Sequence, residues 1–486
     1  MTAVATRSPV TRRVAEFTAE LLAEPLSDEV AETARLLVLD TVGCALAAAG
    51  GPHDGVRRVL VADGGARRAS IVGSGEMVPT AGAALVNGVL AHSLDYDDIH
   101  PTSAAHTSAV VVPAALAVAQ ARGRSGGDLL RAVALGTEVV ARIGSIVPAG
   151  LHERGFHVTS VAGVFGAAAA AALLDETDPD TTASALGIAG STASGVFAYL
   201  DDATETKPLH AGWAAQAGIR AVAFASAGLA GPPSVIEGRY GILDTFLRGS
   251  LPDAAARADA AAAAFADLGD AWRTLEVTPK RYPCCAFMHP WLAAAERGLR
   301  EASASGAEVV AARLSVPDEV AARLVDPRRR TDAPASGYDA KFSLPYSLAA
   351  LLLRGRLDLA AYGAEAIAEP GTLGLAREIQ VTSFADESWS TRPRGEVELR
   401  LRDGREVAVP VDAAVAPPTA REDRGAVEAK FLANASLALG ERRAARLAGA
   451  IAALGDDAGL APTIELLAPA GEDEIRPTHD SKEIPR

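Results

Sequence analysis

The sequence predicts a mainly α protein, with one large helical region, a smaller α+β unit after it, and helices again toward the C-terminus. Three observations support this. Hydrophobic residues make up 49% of the chain but aromatics only 5%, so the core is built from Ala, Leu and Val, which suits closely packed helices. Apolar residues recur at helical spacing through most of residues 30–228. From about Trp272 the texture changes to strand-like runs with turn signals. At 486 residues the chain exceeds what one core supports, and it divides into 1–271, 272–412 and 413–486.

In chain order, Ser27-Asp28-Glu29 has the form of a helix cap with acids in the first turn, leading into an apolar-periodic run over 30–48. Residues 51–78, rich in Gly and turn dipeptides, read as a loop with at most a minor hairpin. Pro79 suits a first helical position, and Ala83, Val86, Leu90 and Leu94 follow at helical spacing. That puts His92 and Asp95 on one face and Asp98 one turn further on. Residues 108–121 and 127–147 form two more apolar helices. A smooth Ala/Gly helix follows over 161–174, capped by Thr159 or Ser160. Pro208 starts another that stays apolar to Gly228.

In the second unit, residues 272–278, 309–316, 379–384, 396–401 and 406–411 have strand character, the last two around an Asp403-Gly404 hairpin turn. Helices fall near 290–303, 318–325 and 340–354. Beyond Pro417-Pro418 come helices over 428–439 and 442–454, then a polar, frayed tail from Gly471.

Acidic residues outnumber basic ones 61 to 46, a net charge of −15 that argues against nucleic acid or an anionic membrane as partner. Cys44, Cys284 and Cys285 give neither a disulfide framework nor a C-x-x-C metal pattern, which fits a reducing compartment. The N-terminal stretch lacks the apolar core of a signal peptide. The longest greasy run, 36–50, is too short for a bilayer, which needs about 20 residues. A cytoplasmic protein is expected.

Three stretches concentrate groups that move protons. Three of the nine histidines, His92, His100 and His106, and three aspartates, Asp95, Asp97 and Asp98, fall within fifteen residues. Carboxylates clustered at the end of an apolar helix repel one another and lose hydration when buried, so a purely structural helix gains nothing from them. His157 precedes the positive end of a helix dipole, where it is disfavoured as imidazolium and well placed for a carboxylate ligand. Lys207 stands at another helix start, where the dipole repels a cation, so an anion should compensate. The chain holds five lysines beside 41 arginines. Three of the five, Lys207, Lys280 and Lys341, lie in these distinctive stretches, where a compact titratable ammonium serves better than a planar guanidinium.

Together Asn87…Ala91-His92…Leu94-Asp95-Tyr96-Asp97-Asp98, Gly155-Phe156-His157-Val158-Thr159, Lys207…His210-Ala211-Gly212…Gln216, Lys280-Arg281-Tyr282-Pro283…Cys285…His289-Pro290 and Ala340-Lys341-Phe342-Ser343-Leu344-Pro345-Tyr346 resemble the motifs of the MmgE/PrpD family. That family includes 2-methylcitrate dehydratase, cis-aconitate decarboxylase and iminodisuccinate epimerase. The resemblance runs in order over roughly residues 10 to 455. It implies a large all-helical domain built from both ends of the chain, a smaller inserted α+β domain, a homodimer, and a metal-free site in the cleft between domains. It also implies that Asp95, His106, His157 and Lys207 are catalytic and that His92, Thr159, Lys280, Tyr282 and His289 bind substrate. Ile99, where many members have threonine, and Thr107, where proline is usual after the histidine, depart from the pattern.

Removing water from a β-hydroxy carboxylate needs a base for the α-proton, cations for the enediolate and an acid for the leaving hydroxide. Asp95 and His106 suit the first role; Lys207, Lys280 and His157 suit the others. An aconitase-like iron–sulfur cluster would need spaced cysteine ligands that Cys44, Cys284 and Cys285 do not provide. Asp95-x-x-Asp98 as a magnesium–diphosphate motif lacks a second acidic motif. A metallohydrolase built on His92, Asp95, Asp98 and His106 leaves the lysines unexplained, and a non-catalytic scaffold has no use for every proton-handling position. The expectation is a cofactor-free lyase on a small di- or tricarboxylate, a dehydratase of the 2-methylcitrate dehydratase type, with a decarboxylase or epimerase as alternatives. The small domain would close over the site and bring Lys280 to the substrate.

Overall fold

The computed structural model describes residues 9–202, 204–325, 333–386, 394–411 and 418–469. It is mainly α, with two hydrophobic cores. The larger draws on residues from Val10 to Val277 and again from Ala420 to Leu467. The smaller is built almost wholly from residues between Tyr282 and Val411. The helical domain therefore takes in both ends of the chain, and the α+β domain is inserted between them.

Helix α1 spans Asp28–Ala48, and Ser27 Oγ accepts from Val30 N as its cap. Helix α2 spans Thr80–His92, with Pro79 as the residue before its first turn rather than the first helical position. Helices α3 (Ser108–Arg122), α4 (Gly126–Ser145) and α5 (Val158–Leu174) follow, and α6 covers Lys207–Ser226. Helices α2, α3 and α5 are buried nearly all round, which is why their apolar residues show little sidedness.

Two glycine contacts set how close these helices come. A Cβ on Gly212 of α6 would lie 2.2 Å from the Leu85 carbonyl of α2, and one on Gly88 would lie 2.7 Å from Gly212 Cα. Only paired glycines allow α2 and α6 to cross this tightly, and the crossing brings the end of α2 to the start of α6.

Two segments differ from the sequence expectation. Asp54–Asp63 is a helix within the expected 51–78 loop, held by Asp54 pairing with Arg57 and Arg58. Residues 69–70 and 77–78 do form a minimal antiparallel pair. Within 272–278 the chain is a short 3-10 helix, Arg273–Glu276, because Thr274 gives its N–H to Glu138 of α4 and its hydroxyl to the Ala134 carbonyl. Only Thr278 makes a strand-like bridge, to Ile99.

In the small domain, strands β1 (Val309–Pro317), β2 (Ile379–Phe384), β3 (Gly395–Leu401) and β4 (Glu406–Val411) form one sheet in the order β2-β1-β3-β4. β1 is parallel to β2 and antiparallel to β3, and Gly404 takes φ +89° in the β3–β4 turn. Helices α7 (His289–Glu301) and α8 (Leu344–Arg354) belong to this core, with Trp291 and Tyr346 fully buried. Helix α9 (Arg424–Leu439) then returns to α1, where the Phe431 side chain fills the space beside Gly43. Residues 412–417 and the tail from Gly471 lie outside the described residues. Among those described, no helix is long and apolar enough to cross a membrane.

Candidate active site

Helix α2 stops at His92. Asp95 N donates to the His92 carbonyl at 3.3 Å, and Asp95 takes φ +51°, a left-handed conformation that Asp tolerates better than most residues. The acidic cluster is therefore a folded loop, and His92, Asp95 and Asp98 do not share a helical face as the periodicity predicts.

Within that loop Asp95 is the anchor. Its Oδ1 lies 2.6 Å from Lys207 Nζ and 3.0 Å from Lys280 Nζ, and Lys280 also donates to the Asp95 carbonyl at 2.9 Å. Asp95 is thus the anion that a lysine at the start of α6 requires. Burial pushes its carboxyl up, but Lys207 and Lys280, with His106 and His92 behind them, outweigh this and hold it well below the usual range. An aspartate so strongly ionised is a poor base. Its effect is to hold two ammonium groups side by side.

Asp97, absent from the expected site residues, orients the imidazoles. Its Oδ2 lies 2.8 Å from His92 Nδ1 and 3.0 Å from His106 Nδ1, and all three side chains are almost wholly buried. Burial raises Asp97, but the two histidines overcome this and keep it well below normal, so it remains an acceptor. A carboxylate hydrogen-bonded to His92 Nδ1 and 3.0 Å from His106 Nδ1 favours the mobile proton of each neutral ring there, leaving His106 Nε2 as a bare acceptor. Burial lowers His106 to about 3, with Asp97 opposing and Lys280 and Lys207 adding to the fall. Asp98 serves the scaffold: it accepts from Ser108 N at the start of α3, and burial lifts it to about 7.

His157 sits immediately before α5 and has no side-chain cap. Its Nδ1 lies 3.1 Å from His210 Nδ1, so one of these rings donates and the other accepts. Burial, then His92 and Lys207, lower His157 well below its ordinary value. Thr159 does not cap the helix, because its Oγ1 accepts from His106 N at 3.0 Å instead. It is a buried support for His106 and does not reach the cleft.

The cleft lies between the two domains, with an inner cavity of about 50 Å³ that opens to solvent. His106, His157, Lys207 and Lys280 line it together with His152 and Arg323, and no carboxylate appears in the described lining. His152, lowered to about 3 by burial and by Arg323, and Arg323, from the short helix Asp318–Leu324, carried no motif that marked them in the sequence. Of the expected substrate-binding residues, Lys280 lines the cleft. His92 is buried behind it, and the small domain engages Tyr282 and His289: Tyr282 donates to Glu296 at 2.8 Å, and His289 Nε2 lies 3.3 Å from the Cys284 carbonyl. Lys280 already reaches the cleft in this structure, where Thr278 and Ile99 exchange backbone hydrogen bonds of 2.9 Å that tie its segment to the loop.

Among the described residues, ring nitrogens of His92, His106 and His157 come within 4.8 Å of one another, as do ligand atoms of His92, Asp95, Asp97 and His106. Either set has donors suited to a transition ion, but the second already has its carboxylates committed to Lys207, Lys280 and the two imidazoles.

Comparison with known proteins adds two findings. Residues 12–255 match the MmgE/PrpD N-terminal domain and residues 282–456 the MmgE/PrpD C-terminal domain. The chain is similar to cis-aconitate decarboxylase of Homo sapiens, 32% identical over 374 residues, covering 74% of this chain and 73% of that protein. It is also similar to cis-aconitate decarboxylase of Aspergillus terreus, 26% identical over 427 residues, covering 84% and 85%.

Proposed function

Since the chain belongs to the MmgE/PrpD family, we propose that it is a lyase that acts on a small di- or tricarboxylate by moving a proton α to a carboxylate, without a metal. The observation that carries this is the composition of the cleft wall: Lys207, Lys280 and Arg323 face it beside buried histidines, with no carboxylate in the described lining. Such a wall attracts a polyanion and stabilises the negative charge that develops when its α-proton leaves.

The roles follow from the surroundings of each group. His106, backed by Asp97, is the base, in place of the Asp95 that the motif suggested. Lys280 and Lys207 depress His106 in the free enzyme; a bound polycarboxylate offsets their field and raises its basicity at the moment it is needed. Lys207 and Lys280 hold the enediolate, and the His157–His210 pair returns the proton.

A carbanion-like state is common to two outcomes, formed by loss of an α-proton in the first and by loss of carbon dioxide, which leaves its electron pair on carbon, in the second. Loss of a β-hydroxyl, with a proton from His157, makes the enzyme a dehydratase of the 2-methylcitrate dehydratase type. Loss of carbon dioxide followed by protonation of carbon makes it a decarboxylase, a reading supported by the names of its relatives. Incubation in deuterated water with a panel that includes 2-methylcitrate and cis-aconitate, followed by NMR, separates them by product. No label uptake and no product from any acid would reject the lyase reading.

We also propose a cytoplasmic homodimer. Leu209, Trp213 and Phe224 form an exposed apolar stripe on the outer side of α6, which supports a partner there. Light scattering of the purified protein tests the mass.

A further inference from the structure

Lys430, on α9, is 334 positions from Tyr96 and 150 from Lys280 in the chain, yet its buried ammonium reaches both. Nζ donates to the Tyr96 carbonyl at 2.6 Å and to the Lys280 carbonyl at 3.1 Å, and it pairs with Asp40 Oδ1 of α1 at 2.7 Å. It also sits 4.0 Å from the centre of the Tyr96 ring. Three oxygens surround the ammonium, two of them accepting hydrogen bonds and the third in ion-pair contact. The two acceptors belong to Lys280 and to the neighbour of Asp95, and the side chains of Lys280 and Asp95 meet at 3.0 Å.

A buried charge pair contributes little to stability compared with apolar residues of the same volume, so its presence here calls for another reason. We propose that Lys430 is a positioning residue. From the C-terminal end of the helical domain it clamps the loop carrying Asp95 to the segment carrying Lys280, and so sets the separation of the two groups. It lies behind the loop and is not part of the cleft wall. The kinetic consequence rests on the lyase reading, whereas the clamp itself does not.

The test removes both charges together, as Lys430→Met with Asp40→Asn, because either change alone leaves a buried charge uncompensated. Native-state amide exchange should become at least about tenfold faster over 96–99 and 278–281, with α3 and α5 keeping wild-type protection. On an identified substrate, kcat should fall at least about 30-fold with KM within about threefold, a split that simple loss of folded protein does not produce. Wild-type protection of both segments would overturn the clamp, and loosened segments with wild-type kcat would overturn its catalytic role. A wild-type enzyme inert toward every polycarboxylate would count against the lyase reading alone, and the exchange result would still decide the clamp. If the double variant does not fold, Lys430→Met with Asp40→Leu, which replaces the pair by apolar side chains and leaves no buried charge, is read in the same way.

Discussion

Asp97→Asn changes one buried atom from acceptor to donor, and its effect follows from two distances. Asp97 Oδ2 lies 2.8 Å from His92 Nδ1, to which it is hydrogen-bonded, and 3.0 Å from His106 Nδ1. Asparagine is neutral: its Oδ1 keeps two lone pairs, but the charge that holds the ring protons at Nδ1 is gone, and its N–H₂ can face a ring in place of an acceptor. Where that N–H₂ faces His106, the ring moves its proton to Nε2 and the nitrogen facing the cleft is no longer a base. Loss of a positioned base costs about 10²- to 10⁴-fold, or roughly 2.7 to 5.5 kcal/mol of barrier. Stability should change less: a charged hydrogen bond worth about 1.5–3 kcal/mol is lost, but a buried carboxylate no longer has to be desolvated. Steady-state turnover by NMR should show kcat reduced by at least about 100-fold, KM within about threefold, and an unaltered circular dichroism spectrum. A folded Asp97→Asn enzyme with near wild-type kcat would refute the assignment of His106 as an oriented base.

Lys207→Arg should fold, since a cation still meets Asp95, but lose at least about 100-fold in kcat/KM, about 2.7 kcal/mol, because a guanidinium is planar, larger and never deprotonated. Near wild-type turnover would place Lys207 outside the chemistry. Exhaustive chelation should leave activity within about twofold; loss that a divalent ion restores would instead assign a resident metal to the His92, His106 and His157 nitrogens. Stability should fall in mild acid. His106, His152 and His289 at about 3 and His210 at about 4 stay neutral when folded but protonate near 6.5 when unfolded, so between those values the unfolded chain binds more protons. Each group removes up to about 1.4 kcal/mol per pH unit below 6.5. Asp98, raised to about 7, opposes this as one group against four. A thermal midpoint unchanged between pH 7 and pH 5 would contradict it. Gly212→Val should lower the midpoint by several degrees, since its side chain must enter the space held by the Leu85 carbonyl.

The helix α1 was readable because its cap and its apolar period agree, and the β3–β4 hairpin because Asp403-Gly404 demands its turn. The helix at 54–63 was not, since its stability comes from Asp54 pairing with two arginines rather than from a buried stripe. Residues 272–278 have strand-like composition, yet Glu138 from another helix claims Thr274 and decides the local shape. The structure gathers Asp95, His106, His157, Lys207 and Lys280, residues of separate motifs, into one region. The motifs could not say that Asp95 is locked between cations while Asp97 orients two rings, because that depends on which way a loop folds after Asp95 takes a positive φ. Tyr282 and His289 share a motif with Lys280 but turn the other way, and Lys430 carries no local signal, since both carbonyls it holds lie far away in the chain.

The return of α9 to α1 has a consequence for how the protein is made. Arg421 and Arg424 meet Glu29 and Glu32 across 392 positions of sequence. At a synthesis rate of roughly 5 to 20 residues per second, α1 waits about 20 to 80 s for that partner to leave the ribosome. During that interval Asp40 has no Lys430, the flank of α1 at Gly43 has no Phe431, and the site loop lacks its support from behind. The nascent N-terminal segment is therefore an incomplete core with an exposed apolar face, the kind of intermediate that chaperones retain. Joining the two ends in a circular permutant opened within the small domain would place α9 shortly ahead of α1 and should shorten this vulnerable period without altering the finished fold.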